Sequence, residues 1–152
     1  MATQTVSSER RARTPSGALR GDLHDPTYQA YFILRLAFVV APILFGLDKF
    51  FHVLVNWDRY LAPRINDLVP GTAHQAMYAV GVIEIVAGLV VAFRPRFGGY
   101  LVAAWLAGII ANLLLIPGFY DIALRDFGLL LAALTLARLA TAFPSPRAVR
   151  QV

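Results

Sequence analysis

The stretch FGGYLVAAWLAGIIANLLLIPGF, residues 97–119, decides the fold: it holds no charged side chain and closes on Pro117-Gly118. A helix rises about 1.5 Å per residue, so roughly 20 apolar residues cross the hydrocarbon core of a bilayer. The same density of apolar residues recurs on both sides of this stretch. Spans are expected over residues 31–55, 73–93, 97–116 and 122–143. Pro42 falls inside the first and removes one backbone donor there. No period-2 pattern competes, and backbone groups in lipid must be satisfied internally, so the spans read as helices. Arg94-Pro95-Arg96 leaves room only for a very short turn, which makes the second and third spans antiparallel neighbours. The expected fold is therefore all-α: an integral membrane four-helix bundle over residues 28–143, with a disordered basic tail at 1–27 and a short tail at 144–152.

Composition agrees. Of 152 residues, 58% are hydrophobic and 15% charged, against about a quarter charged in average soluble domains. The chain has no cysteine, which excludes disulfide relays, thiolate metal sites and iron–sulfur clusters held by it alone. The net charge is +5, and all of the 14 basic residues except Lys49 are Arg. They flank apolar runs, which marks topology signals and anionic-lipid contacts and argues against nucleic acid as a partner. Arg10, Arg11, Arg13, Arg20, Arg94, Arg96, Arg147 and Arg150 fall on one side of a four-span chain. Arg59 and Arg64 fall on the other, offset by Asp58 and Asp67. Both termini are accordingly expected in the cytoplasm. The tail lacks the apolar region of a signal peptide. Its Arg- and Ser-rich composition also resembles an organellar transit peptide, but the same composition serves as a positive-inside anchor, which is the preferred reading. Trp57, Tyr60, Leu61, Ile65 and Leu68 in the first loop suggest a short helix lying on the outer surface.

Polar groups at membrane depth are expensive, so each is a candidate site. Glu84 lies mid-way along the second span, with Gly81 and Gly88 on its face, a face Val90 does not share. Small residues mark close helix packing, so Glu84 points into the bundle. Its plain role is a hydrogen bond to another helix; its sharper role is a proton carrier or ligand contact. Ala104, Gly108 and Asn112 share a face of the third span. Asp126 lines up with Ala133, Ala137 and Ala140 on the fourth, while Asp121 and Arg125 pair at i,i+4. Counting residues from the helix ends brings Asp48, Lys49, Tyr78, Asn112 and Asp126 within about two turns of the outer surface, with Glu84 deeper. Asp48, Lys49, Tyr78, Glu84, Asn112 and Asp126 are thus expected to line one polar, ligand-binding pocket. Arg35 and Arg138 snorkel to the opposite side. No nucleophile motif, phosphate loop or metal-spaced set of ligands is present, so no metal site is expected, and the sequence leans away from an enzyme while leaving any catalytic residue unknown. The sequence names no cofactor of its own. His52 and His74 match too loosely in depth to argue for haem, whereas a quinone suits the pocket chemically.

Four motifs in order carry a resemblance. They are Arg35-Leu36, Gly46-Leu47-Asp48-Lys49-Phe50, Gly81-Val82-Ile83-Glu84-Ile85-Val86-Ala87-Gly88 and Arg125-Asp126-Phe127-Gly128-Leu129-Leu130. With them the chain resembles the DoxX-like family of small bacterial membrane proteins, over residues 30–142. The resemblance implies a multi-pass protein of the bacterial cytoplasmic membrane. Some relatives are small subunits of membrane oxidoreductases that pass electrons to quinone, and others belong to oxidative-stress complexes. The expected function is an accessory or anchoring subunit of a membrane redox system, touching lipid and an oxidoreductase partner. The competing expectations are a small proton-coupled transporter and a structural membrane partner without catalysis.

The arginine pattern makes a direct prediction. A cysteine replacing Arg96 should react with an impermeant reagent only from the cytoplasmic side, and one replacing Asn66 only from outside. Labelling of position 96 from outside would sink the topology.

Overall fold

The computed structural model describes residues 23–68 and 70–143, and among these residues all regular structure is helical. Four long helices follow one another: α1 (Pro26–Phe51), then, after a 3-10 turn (Trp57–Tyr60) and the one-turn α2 (Pro63–Asn66), α3 (Ala73–Phe93), α4 (Pro95–Leu114) and α5 (Tyr120–Leu139). The basic tail expected over residues 1–27 lies outside the described residues up to residue 22, and so does the segment 144–152.

Capping chemistry sets the bounds. Asp25 accepts from the Thr27 amide at 2.9 Å and Pro26 occupies the first turn, which is a strong start signal. It opens α1 ahead of the apolar run at 31. The helix passes through Pro42 unbroken and ends at His52, in the left-handed conformation with φ 53°. The first span therefore stops short of 55, because the Asp48 carboxylate takes the amides of Val53 and Leu54, each at 3.0 Å. α3 begins at a reciprocal Thr72–Gln75 capping box and keeps the expected bounds, 73–93. Arg94 alone joins α3 to α4. α4 and α5 each begin and end a few residues earlier than apolarity suggests, with Pro95 opening the first of them.

The helices pack α1 on α3, α3 on α4, α4 on α5 and α5 back on α1. Glycine sets the α1–α3 distance. A Cβ on Gly46 would lie 2.6 Å from the Gly81 carbonyl oxygen, and one on Gly81 would lie 2.7 Å from that of Gly46. Gly88 abuts Ile43 and the Val39 carbonyl in the same way. On the other side of the molecule Gly99 presses on the Ala133 carbonyl and on Ala137. Ala133, Ala137 and Ala140 are buried, so the alanine stripe of α5 is a packing face. The stripe expected on α4 is not. Ala104 and Gly108 face outward, and a Cβ on Gly108 would meet nothing within 4 Å. The close contacts of α4 come instead from Gly98, Gly99, Val102 and Ala103, beside the tight Arg94 joint. Small residues at four-residue spacing permit close approach but do not compel it.

The surface is inverted relative to a water-soluble bundle. Phe32, Ile33, Leu36, Val82, Val86, Phe93, Phe97 and Leu131 point outward. Among the described residues α1, α3 and α4 are long and apolar enough to cross a membrane. Asp121, Arg125, Asp126 and Arg138 set α5 apart from them. At the Arg94 end, Arg35 donates to the Ala92 carbonyl in the last turn of α3. Instead of only reaching for the surface, it caps a helix end whose dipole favours a cation. Tyr28, Tyr31 and Phe143 close that end, with ring centroids 5.2 and 5.3 Å from Phe143.

The glycine geometry is testable. Gly81→Ala should lower stability by about 1–3 kcal/mol, since backbone must move. Gly108→Ala should be neutral or stabilising by up to about 1 kcal/mol, the gain of replacing a helical glycine. Unfolding in mixed micelles followed by circular dichroism would compare them, and equal losses would refute the assigned contact faces.

Candidate functional site

Side-chain direction, more than residue count, builds the centre of the molecule. Cβ atoms on a helix tilt toward its N-terminus. α1 and α3 run antiparallel, so Lys49 in the last turn of α1 leans down into the bundle. Glu84, midway along α3, leans up toward the loop end. They meet: Lys49 Nζ lies 2.6 Å from Glu84 Oε2, with both residues buried, at 3% and 8% exposure. Residue counting had separated them in depth because it compared Cα positions.

The first loop covers this pair. It does not lie flat as one amphipathic helix; it folds back across the helix ends. Trp57 places its ring 3.8 Å from Lys49 Nζ, and its indole N–H donates to Asp48 Oδ2 at 2.7 Å. Asp48, buried beside Lys49, thus holds the Trp57 indole and the two amides that follow α1. It positions the loop. Asn112 does the same from α4, accepting from the Ala62 amide at 2.9 Å and donating to the Tyr60 carbonyl at 2.6 Å. Ala62 is fully buried as a result. The amide of Asn112 is therefore occupied by loop backbone rather than turned to the Lys49–Glu84 pair.

Two further groups face the pair. Asp126 on α5 is half-buried and near enough for its charge to act on Glu84. The Trp105 indole on α4 lies beside the Glu84 carboxyl, yet its buried N–H meets no acceptor in hydrogen-bond geometry. Tyr78 stands elsewhere. Its hydroxyl pairs with His74 Nε2 at 2.8 Å and its ring stacks on Phe50 at 5.0 Å. Asp121 and Arg125 form an exposed i,i+4 pair at 3.4 Å, away from the centre.

Of the expected pocket residues, then, the structure gathers Lys49, Glu84 and Asp126 at one centre, uses Asp48 and Asn112 to hold the covering loop, and puts Tyr78 in a neighbouring cluster. Trp57 and Trp105 were missed. A signal existed for Trp105, since an indole N–H inside an apolar span needs a partner. Also missed was the approach of His52, Asp58 and His74 at the loop end. No family model, no curated protein and no solved structure matches the chain. Within the chain, the stretches 46–50 and 81–88 supply the glycine contact, Lys49 and Glu84.

Breaking the pair should show its worth. Removing one partner of a buried ion pair costs about 3–5 kcal/mol, whereas replacing both can be near neutral. Lys49→Met and Glu84→Gln should each destabilise the protein, and the double variant should recover most of the loss. A double-mutant cycle on micelle unfolding would measure it, and additive losses would mean that the two groups do not interact.

Proposed function

We propose that this chain is a four-span protein of the bacterial cytoplasmic membrane, DoxX-like, with both termini inside, and that it serves as an accessory or anchoring subunit of a membrane redox system by holding a quinone ring at the Lys49–Glu84 centre. The fourth span is α5. At 20 residues it matches α4 in length, about 30 Å of helix. Its Asp121–Arg125 pair and Arg138 sit near opposite ends, where charge reaches headgroups. Asp126 turns inward.

The observation that carries the quinone reading is the Trp105 indole. Its buried N–H faces the Glu84 carboxyl without reaching hydrogen-bond geometry, so a carbonyl entering beside the pair would find a donor there. It stands next to the only lysine of the chain, itself buried and bonded to a carboxyl. A quinone carbonyl accepts hydrogen bonds, its ring stacks on aromatic side chains such as Trp57 and Trp105, and its tail stays in lipid. An amphiphile of that kind fits a polar centre surrounded by helices whose outer faces are apolar. Lys49 Nζ lies 2.6 Å from Glu84 Oε2, so a bound ring would have the lysine's remaining N–H donors within the same cluster.

Binding of a short-chain benzoquinone to the protein in nanodiscs tests this. Trp105→Phe should weaken it by about tenfold, the loss of one well-placed hydrogen bond. The paired variant Lys49→Met/Glu84→Gln should weaken it further while remaining folded. Equal binding by all three proteins would exclude the site. Proton-coupled solute uptake in vesicles, abolished by Glu84→Gln without any quinone bound, would replace this reading with the transporter.

A further inference from the structure

A second cluster, separate from the Lys49–Glu84 centre, lies under the loop. His52 is the C-cap of α1, Asp58 belongs to the 3-10 turn, and His74 sits in the first turn of α3. One ligand atom from each falls within 4.8 Å of the others. Together with Val55 and Asn56 they line a recess of about 300 Å³.

Hydrogen bonding within the chain does not exhaust these groups. His74 Nδ1 lies 3.3 Å from Asp58 Oδ2, and His74 Nε2 lies 2.8 Å from the Tyr78 hydroxyl. One shared proton satisfies the His74–Asp58 contact. It leaves His52 Nε2 and Asp58 Oδ1, both buried and both without a partner. The rings of His52 and His74 are stacked, with centroids 5.1 Å apart and planes within 14°. Such stacking keeps two imidazoles close but satisfies neither nitrogen. A cation in the recess would engage all the leftover acceptors at once.

We propose that His52, Asp58 and His74 form a binding site for a first-row divalent cation of the zinc type, with a further coordination position open to water. Two imidazoles and one carboxylate suit Zn²⁺ or Cu²⁺, whereas Ca²⁺ and Mg²⁺ require all-oxygen cages. The supporting shell is in place. With a metal on His74 Nδ1 in place of the proton shared with Asp58, Nε2–H would donate to the Tyr78 hydroxyl 2.8 Å away, the arrangement that fixes a metal-bound imidazole. The Asn56 side chain accepts from the Asp58 amide at 3.1 Å and holds the 3-10 turn that carries the carboxylate. Metal–ligand bonds of about 2.0–2.1 Å require the three atoms to draw together. His52 turns for this at the junction between α1 and an irregular segment. The metal would join the ends of α1 and α3 to the loop. Because Asp58 follows Trp57, it would also fix the ring that covers Lys49.

The test uses the full chain in nanodiscs, stripped with a chelator and titrated with Zn²⁺ against a chromophoric competitor. One ion per chain is expected. Asp58→Asn, His74→Ala and His52→Asn should each weaken binding by at least about tenfold. Asparagine tolerates the left-handed backbone at 52, so that variant removes the imidazole and keeps the cap. Tyr78→Phe should weaken binding by about tenfold, as loss of an outer-shell partner does. His24→Ala should change nothing. Co²⁺ in place of Zn²⁺ should give the visible bands of a low-coordinate site in the wild type, a readout that needs no variant. Equal Zn²⁺ affinity in wild type and His52→Asn, or a Co²⁺ spectrum like that of the hydrated ion, would overturn the proposal. Quinone binding should survive His74→Ala, so failure here leaves the reading of the inner centre untouched.

Discussion

One ammonium–carboxylate contact organises this molecule. Lys49 and Glu84 sit within helices whose surroundings are apolar, where a lone charge costs about 2.5–3.5 kcal/mol even on the mildest insertion scales. Each is tolerable only against the other. The contact in turn demands that α1 and α3 approach until their backbones touch, and Gly46 and Gly81 allow this by presenting a carbonyl to each other's missing Cβ. Larger side chains there would separate the helices and strand both charges. The glycines and the pair are therefore one device.

The loop depends on the same contact. Lys49 offers three donors, and Glu84 takes one; the face of Trp57 accepts part of the remaining charge. Trp57 can lie there because Asp48, one residue before Lys49, holds its indole and at the same time takes the first amides beyond the helix. The end of α1, the folding back of the loop and the cover over the charge are consequences of Asp48 and Lys49 being adjacent. Asn112 closes the arrangement from α4 by supplying the donor and acceptor that a strip of loop backbone at the bundle's end would otherwise lack.

Much of the fold was legible. Apolar runs of spanning length locate the helices, and the Thr72–Gln75 box fixes the start of α3 at the residue where hydropathy also puts it. Where apolarity and capping disagree, capping wins: Asp25-Pro26 opens α1 early and Asp48 closes it early. The glycine faces of α3 and the alanine stripe of α5 were legible because packing there follows helical period. The Ala104–Gly108 stripe misled because period identifies a face without saying what the face meets. The site was legible by membership more than by geometry. Lys49 and Glu84 stood out as charges in apolar sequence, but their contact follows from antiparallel helices tilting their side chains toward each other. Asn112 stood out as a polar group in a span, but its partners are backbone atoms of a loop, which carry no residue signal at all. His52, Asp58 and His74 come from two helix ends and the segment between them, so no periodicity links them.

Polarity is distributed unequally along the bundle, and this bears on where chemistry can occur. At the Arg94 end the described interior is aromatic and apolar, and the half-buried Arg35 is tied to a helix carbonyl. At the loop end, carboxylates, imidazoles, a lysine and two indoles lie within a few helical turns. Some of their hydrogen-bonding capacity is filled by the chain, and some is not: Trp105 Nε1, His52 Nε2 and Asp58 Oδ1 stay without partners. A bundle stabilised only for its own sake would gain by filling or removing those groups, because each buried polar atom left unmet costs roughly 1–3 kcal/mol. All of them, with Asn66 Oδ1, lie at the loop end. The indole of Trp57 separates two chemically distinct places. Against it the Lys49–Glu84 pair sits among apolar helices, which suits an amphiphile. At the loop end, next to it in the chain, two imidazoles and a carboxylate line a recess, which suits an ion.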